Sequence, residues 1–141
     1  MDRVSACSEF LVAVERLNLR RFPEISLEIE DDCHLFVTCS YVDQVSFWVQ
    51  FDSDSGVIGL GAAPGWLFHF DAKGLARAVA IMIAAVHGEV LCCTRRGVTW
   101  YKVRLPDGVE LIDRAEGLRG FLASRGKPPV AGWGRARAYG P

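Results

Sequence analysis

The fold of this chain is decided by residues 66–111, WLFHFDAKGLARAVAIMIAAVHGEVLCCTRRGVTWYKVRLPDGVEL. The stretch begins with Trp66, Phe68 and Phe70, which alternate with Leu67 and His69. A period of two is typical of a β-strand, and it places the three rings on one face of that strand. The stretch therefore opens with an aromatic strand that has one buried face.

The middle of the stretch predicts a central core helix over residues 71–87. Asp71 can act as the N-cap, because its carboxylate can accept from the first unpaired amides of a helix. Residues 75–86 are apolar almost all round, with Arg77 as the only charge, so solvent can cover only a narrow strip of this helix. Gly88 occupies the position at which a left-handed residue usually ends a helix.

The last part of the stretch predicts an antiparallel meander. Residues 90–93 and 98–105 are rich in apolar and β-branched residues and flank a turn at residues 94–97. Residues 106–108, Pro-Asp-Gly, form a second turn that leads into a strand over residues 109–112.

The chain before this stretch predicts one helix and several half-buried strands. Ser5 or Ser8 can cap the helix, which should run to about Arg20. Its single apolar stripe consists of Phe10, Leu11, Val14 and Leu17. Alternating apolar residues then predict strands at residues 25–30, 35–41, 45–51 and 57–60.

The end of the chain is predicted to change character after a short helix. Asp113 is the expected cap of that helix. Its apolar residues are Leu118, Phe121 and Leu122. Residues 127–141 have no periodicity and many prolines and glycines, which predicts an extended basic tail. Solvated tails usually lack large aromatics, so Trp133 and Tyr139 suggest docking on the domain or on a partner.

These elements together predict an α+β fold. An antiparallel β-sheet meander should pack against the N-terminal helix and the central apolar helix, followed by a short C-terminal helix and the basic tail. We expect a single α+β domain over residues 1–126, with residues 127–141 as the tail. A length of 141 residues with 50% hydrophobic and 23% charged residues fits one globular domain.

Composition also predicts a cytoplasmic protein. No apolar run approaches the ~20 residues of a membrane-spanning helix, and the N-terminus lacks the apolar core of a signal peptide. Five cysteines, an odd number, lie at positions 7, 33, 39, 92 and 93 with no CxxC spacing. Cys92 and Cys93 should point to opposite faces of a strand, which prevents them from sharing a zinc ion. We therefore expect free thiols.

Three patterns that resemble functional sites fail on closer comparison. The segment Asp52-x-Asp54-x-Gly56 starts like a calcium loop, but the glycine is one position early and the bidentate glutamate is missing, so a hairpin turn is expected. The Gly59-x-Gly61 segment starts like a dinucleotide fingerprint but leads into a strand rather than a helix. A nucleophilic pair of Cys39 with His69 would need proximity that spacing does not supply. We predict no metal, no cofactor and no catalytic residue.

Charge is distributed unevenly along the chain. Residues 1–70 contain eleven acidic and four basic side chains, a net charge of −7, whereas residues 114–141 contain six basic and one acidic, a net charge of +5. A main sheet on the acidic side would repel phosphate, which argues against nucleic-acid binding and favours a basic protein partner.

The second faces of the strands supply the candidate binding residues. If the alternating apolar residues point inward, then Phe36, Trp48 and Trp100 point outward. Either these aromatics are core residues beneath a helix on the second sheet face, or they are exposed anchors for a partner. The candidate protein-binding residues are Trp48, Phe36, Glu28, Glu30, Asp52 and Asp54.

The order of elements resembles that of small immunity proteins of bacterial polymorphic-toxin systems. The resemblance covers residues 5–112, is clearest in the run from Phe68 to Val86, and supplies no site residues because it is one of layout. It implies stoichiometric inhibition of a cognate toxin, for which a basic partner fits the acidic surface. The alternative is a secretion-chaperone-like or homodimeric scaffold protein. Enzymatic activity is not expected.

Overall fold

The computed structural model describes residues 1–31, 34–116 and 127–141, and it confirms an α+β fold. The helices are α1 (Arg3–Arg16), a short 3-10 helix (Leu19–Arg21) and α2 (Ala72–Val86). The strands are β1 (Ile25–Glu30), β2 (His34–Cys39), β3 (Phe47–Phe51), β4 (Ser55–Leu60), β5 (Trp66–His69), β6 (Leu91–Arg95), β7 (Val98–Arg104), β8 (Glu110–Glu116) and β9 (Gly134–Arg135).

The strands divide between two sheets. The first sheet has five antiparallel strands in sequence order, β1-β2-β3-β4-β5. The second sheet has the order β8-β7-β6-β9, again antiparallel. Neighbouring strands along the chain therefore pair as the meander predicts, and α2 separates one sheet from the other in sequence.

Helix α2 forms as predicted. The Asp71 carboxylate accepts a hydrogen bond from the Gly74 amide at 2.7 Å, and Gly88 ends the helix with a φ of 68°. Ile81 and Met82 are fully buried, as expected for a core helix. Neither α1 nor α2, the longer helices of the described residues, has the length and apolarity needed to cross a membrane.

Helix α1 begins and ends earlier than predicted. Asp2, rather than Ser5 or Ser8, is the N-cap, and its carboxylate accepts from the Ser5 amide at 2.8 Å. The helix ends at Arg16 instead of about Arg20, because Asn18 adopts a left-handed conformation with a φ of 48°. A left-handed residue breaks the helical hydrogen-bond pattern, so the chain continues as a separate 3-10 turn.

Both helices pack on the same face of the first sheet. Phe10 of α1 contacts Phe51 of β3 edge to face, with ring centroids 5.7 Å apart, and Phe51 in turn contacts Phe68 of β5. The buried residues of α2 belong to the same continuous core. The inward residues of the central strands are Leu35, Val37, Phe47, Val49, Phe51, Ile58 and Leu60. The opposite face of the first sheet is therefore not covered by either helix.

The β6–β7 hairpin has a tighter turn than predicted. Strands β6 and β7 extend to Arg95 and Val98, so the turn contains only Arg96 and Gly97 instead of residues 94–97. Both turn residues have positive φ, 53° and 78°. Two consecutive positive φ values match the twist of antiparallel strands, which favours this short turn.

The prediction that Asp113 caps a helix is wrong. Asp113 lies inside β8, opposite Tyr101 of β7, and its carboxylate accepts from the Gly65 amide at 2.8 Å. The strand continues to Glu116 because it pairs with β7 along its whole length. The other residues predicted for this helix, Leu118, Phe121 and Leu122, lie outside the described residues.

Residues 127–141 dock on the domain. Gly134 and Arg135 form β9, which pairs with β6. Tyr139 is buried, and its hydroxyl donates to the Val45 carbonyl at 2.6 Å. The tail thus contributes a strand and a core side chain, which agrees with the docking suggested by its aromatic residues.

Trp133 covers the outward side of the second sheet. It packs against a small cluster that contains Trp100, which is 8% exposed, together with Cys93. Lys102 lies 4.2 Å from the centre of the Trp133 ring, in a cation–π contact. Trp100 is therefore a core residue of the second sheet. The opposite neighbour, Cys92, packs against the main core, so the two adjacent thiols do point to opposite faces.

Glu24 holds Gly140 on the domain through a buried hydrogen bond. Its carboxylate accepts from the Gly140 amide at 2.6 Å and from the Gln44 side chain at 3.3 Å. Burial opposes the charge, but these hydrogen bonds and one from its own amide hold the pKa of Glu24 below the usual 4.5. Ionised Glu24 therefore stabilises the folded state at pH values above 4.5, and this contribution is lost as the pH falls through the lower folded value.

We expect the Glu24→Gln variant to be less stable than the unsubstituted protein at neutral pH, with a difference that shrinks in acid. Protonation of Glu24 in the unsubstituted protein removes the advantage of the carboxylate. Urea unfolding at a series of pH values measures both proteins, with Glu28→Gln at an exposed position as the control. A difference that stays constant from neutral pH into acid would contradict this role of Glu24.

Candidate functional site

The candidate site is the outer face, which we define as the face of the first sheet opposite α1 and α2. Strand register brings three predicted binding residues into one row on this face. Glu28 of β1 lies opposite Phe36 of β2, and Phe36 lies opposite Trp48 of β3. Phe36 and Trp48 are half-buried, although neither belongs to the core that the helices cover. The row therefore presents two aromatic side chains beside a carboxylate.

Gly59 leaves space for the indole ring of Trp48. Gly59 of β4 lies directly opposite Trp48, and a Cβ atom at this position would lie 2.3 Å from the indole ring. The ring therefore lies flat across β4, where no side chain obstructs it. Sequence reasoning missed this role, although a glycine inside a strand signals close approach of another group. The result is a large aromatic side chain held in place before any partner binds.

A second row extends the apolar part of the outer face. Register places Glu30, His34, Gln50, Val57 and Leu67 across the five strands in that order. The His34 ring stacks on Phe36, with centroids 6.0 Å apart. Leu67 is 59% exposed, so it adds apolar surface to this end of the row. Val57 and Leu67 were missed because the sequence pattern does not fix the register between neighbouring strands.

The four predicted carboxylates border this face at one end. Glu28 and Glu30 lie on β1, and both are exposed. Asp52 and Asp54 lie in the turn between β3 and β4, where the Asp52 amide donates to the Ser55 carbonyl at 2.9 Å. The predicted hairpin turn is thus observed. The Asp52 carboxylate accepts from the Gln50 side chain at 2.8 Å, which connects it to the second row.

The five strands of the first sheet supply no lysine or arginine to balance these carboxylates. Strands β1 to β5 are described in full and contain no lysine or arginine. Their charged side chains are Glu28 and Glu30 alone. A surface with acidic groups and aromatic rings is complementary in charge to a basic, partly apolar surface.

Cys39 and Cys92 are in surroundings that do not favour nucleophilic chemistry. Cys39 lies on β2 and His69 on β5, with β3 and β4 between them, so the two do not form a pair. Burial raises the pKa of Cys39, and it raises the pKa of Cys92 to about 11. Both thiols are therefore protonated at neutral pH, and a thiol is a poor nucleophile. Within residues 1–31, 34–116 and 127–141, no group of three His, Cys, Asp or Glu side chains could hold a metal ion.

Other proteins do not supply an identity for this surface. The chain matches no protein-family model, no curated protein and no solved structure. The chemical character of the outer face is therefore the main guide to function. It combines a preformed aromatic row, an exposed leucine and a border of carboxylates.

Proposed function

We propose that the protein is a stoichiometric protein-binding module that acts through the outer face, most concretely as an immunity-type inhibitor of a basic toxin. The observation that carries the proposal is the row of Glu28, Phe36 and Trp48 on a sheet face that neither helix covers. Aromatic side chains on a rigid sheet can be buried by a partner with little loss of conformational freedom. Trp48 is the expected anchor, because tryptophan is the side chain most enriched at binding hot spots.

The carboxylates indicate the charge of the partner. Glu28, Glu30, Asp52 and Asp54 are on or beside one face, and the five strands supply no lysine or arginine to balance them. Charges at the border of an interface act mainly on the rate of association, because they steer the partner during approach. A basic partner would therefore bind fast at low salt. A toxin that acts on an anionic substrate such as nucleic acid has this charge, and covering its basic site would inhibit it.

The first experiment measures binding kinetics of Trp48→Ala with the partner purified from the native host. Loss of an anchor should increase the dissociation rate by about 30-fold, which corresponds to ~2 kcal/mol. Neutralising the four carboxylates together should instead slow association and flatten its salt dependence. Glu89→Gln, an exposed charge after α2, is the matched control and should change neither rate.

Two outcomes would contradict this function. Unchanged kinetics in both variants would show that the partner binds elsewhere. A stable dimer of 15.6 kDa chains that dissociates on substitution of Trp48 would show that the outer face is self-complementary, as in a homodimeric scaffold. Thermal unfolding of Trp48→Ala must accompany the kinetics, because the binding rates are meaningful only if the variant is folded.

A further inference from the structure

Strand β1 is an edge strand of the first sheet in the described part of the chain. Within the part of the chain that the structure describes, β1 pairs with β2 on one side and with no strand on the other. The strand is six residues long, from Ile25 to Glu30. An open edge presents a row of backbone donors and acceptors that can pair with an added strand.

The two sides of this open edge differ in chemistry. On the outer face, β1 presents the carboxylates of Glu28 and Glu30. On the helix side, Ile29 is 49% exposed and borders a cleft of about 560 Å³ between α1 and the end of β1. The apolar lining of that cleft includes Val4, which is 74% exposed, and Leu11. A strand added beside β1 would therefore face two carboxylates on one side and, on the other, a mainly apolar cleft that also contains Arg3 and Asp31.

We propose that β1 accepts an extended segment of the basic partner as an added strand of the first sheet. This inference rests on the proposed function and names the mode of binding. Successive side chains of a strand point to opposite faces. The segment should therefore alternate lysine or arginine, directed toward Glu28 and Glu30, with apolar residues directed toward Ile29 and the cleft.

A second copy of this chain fits the same edge poorly. Antiparallel pairing of β1 with its own copy, with the two outer faces aligned, would bring Glu28 and Glu30 of one chain beside those of the other. Like charges on neighbouring strands are destabilising. Charge complementarity thus favours a basic segment over self-association.

The test uses a capped peptide in which lysine alternates with valine, long enough to pair with all of β1. We expect NMR titration of the full-length protein to shift the amide resonances of residues 25–30 and to slow their hydrogen exchange. A peptide of the same sequence with every amide N-methylated keeps the charges and side chains but cannot donate to β1. Its affinity should be at least about tenfold lower, because several backbone hydrogen bonds are lost. A second control peptide has the same composition, with all lysines in one half and all valines in the other. It should also bind more weakly, because its lysines cannot all face Glu28 and Glu30.

The outcomes separate this inference from the proposed function. Equal binding of the N-methylated peptide, or no shifts in β1 at millimolar peptide, would overturn strand addition while leaving the kinetic test of Trp48 unaffected. Concentration-dependent protection of β1 without peptide would also overturn it, in favour of a second copy. Glu89→Gln, an exposed charge outside the first sheet, should leave peptide binding unchanged, whereas Glu28→Gln with Glu30→Gln should weaken it several-fold.

Discussion

Replacement of Ile81 by alanine is expected to lower the free energy of unfolding by about 2–5 kcal/mol. Ile81 lies in the middle of α2, is fully buried and belongs to the core that joins both helices to the first sheet. Removing its branched side chain loses apolar contacts and leaves a cavity that close-packed neighbours fill only in part. Urea unfolding at neutral pH measures the change as a lower midpoint with a similar slope.

Ile83→Ala is the matched control for this prediction. Ile83 lies on the same helix, two residues away, but is only half-buried. The helix propensity changes by the same amount in both variants, so their difference reports burial alone. We expect Ile83→Ala to lower the free energy of unfolding by less than half as much as Ile81→Ala does. An equal cost would show that the interior side of α2 has been assigned incorrectly.

Replacement of Tyr139 by alanine is expected to lower the free energy of unfolding by about 3 kcal/mol or more. Tyr139 is 7% exposed, packs against Phe22 with ring centroids 6.4 Å apart and donates its hydroxyl proton to the Val45 carbonyl. Its loss would remove a core aromatic and the contact that keeps the tail on the domain. Chemical unfolding, with limited proteolysis of the tail, measures both effects.

Two variants separate the parts of this effect. Tyr139→Phe keeps the ring and removes one hydrogen bond, so it should lower the free energy of unfolding by about 1 kcal/mol. Val130→Ala changes a fully exposed side chain of the same segment and should be close to neutral. If Tyr139→Ala were as mild as Val130→Ala, the tail would not contribute to the core.

The sequence predicts α2 almost to the residue because its signals are local. The Asp71 cap, the apolar run and the left-handed Gly88 all act within one turn of the residues that they affect. The start of α1 was predicted less well because three residues near the N-terminus, Asp2, Ser5 and Ser8, can all serve as caps. The local pattern does not choose among them, and the structure uses Asp2.

The strand faces are also determined locally, since alternation decides which side chains share a face. Phe36, Trp48 and Glu28 were placed on one face by period alone, and register then brought them into one row. Period does not fix the register between neighbouring strands. The positions of Gly59 beneath Trp48 and of Leu67 in the second row therefore came only from the structure.

The sequence by itself determined the type of the main elements before Asp113, the buried side of the central strands of the first sheet, the acidic character of the first half and the tendency of an aromatic tail to dock. Tertiary structure alone decided that the described strands form two sheets, that both helices cover the same face, that β1 is an edge among these strands and that Asp113 lies in a strand. These features depend on pairings between residues far apart in the chain. Local propensities and periodicity do not encode such pairings, because their energy comes from contacts that exist only after the chain has folded.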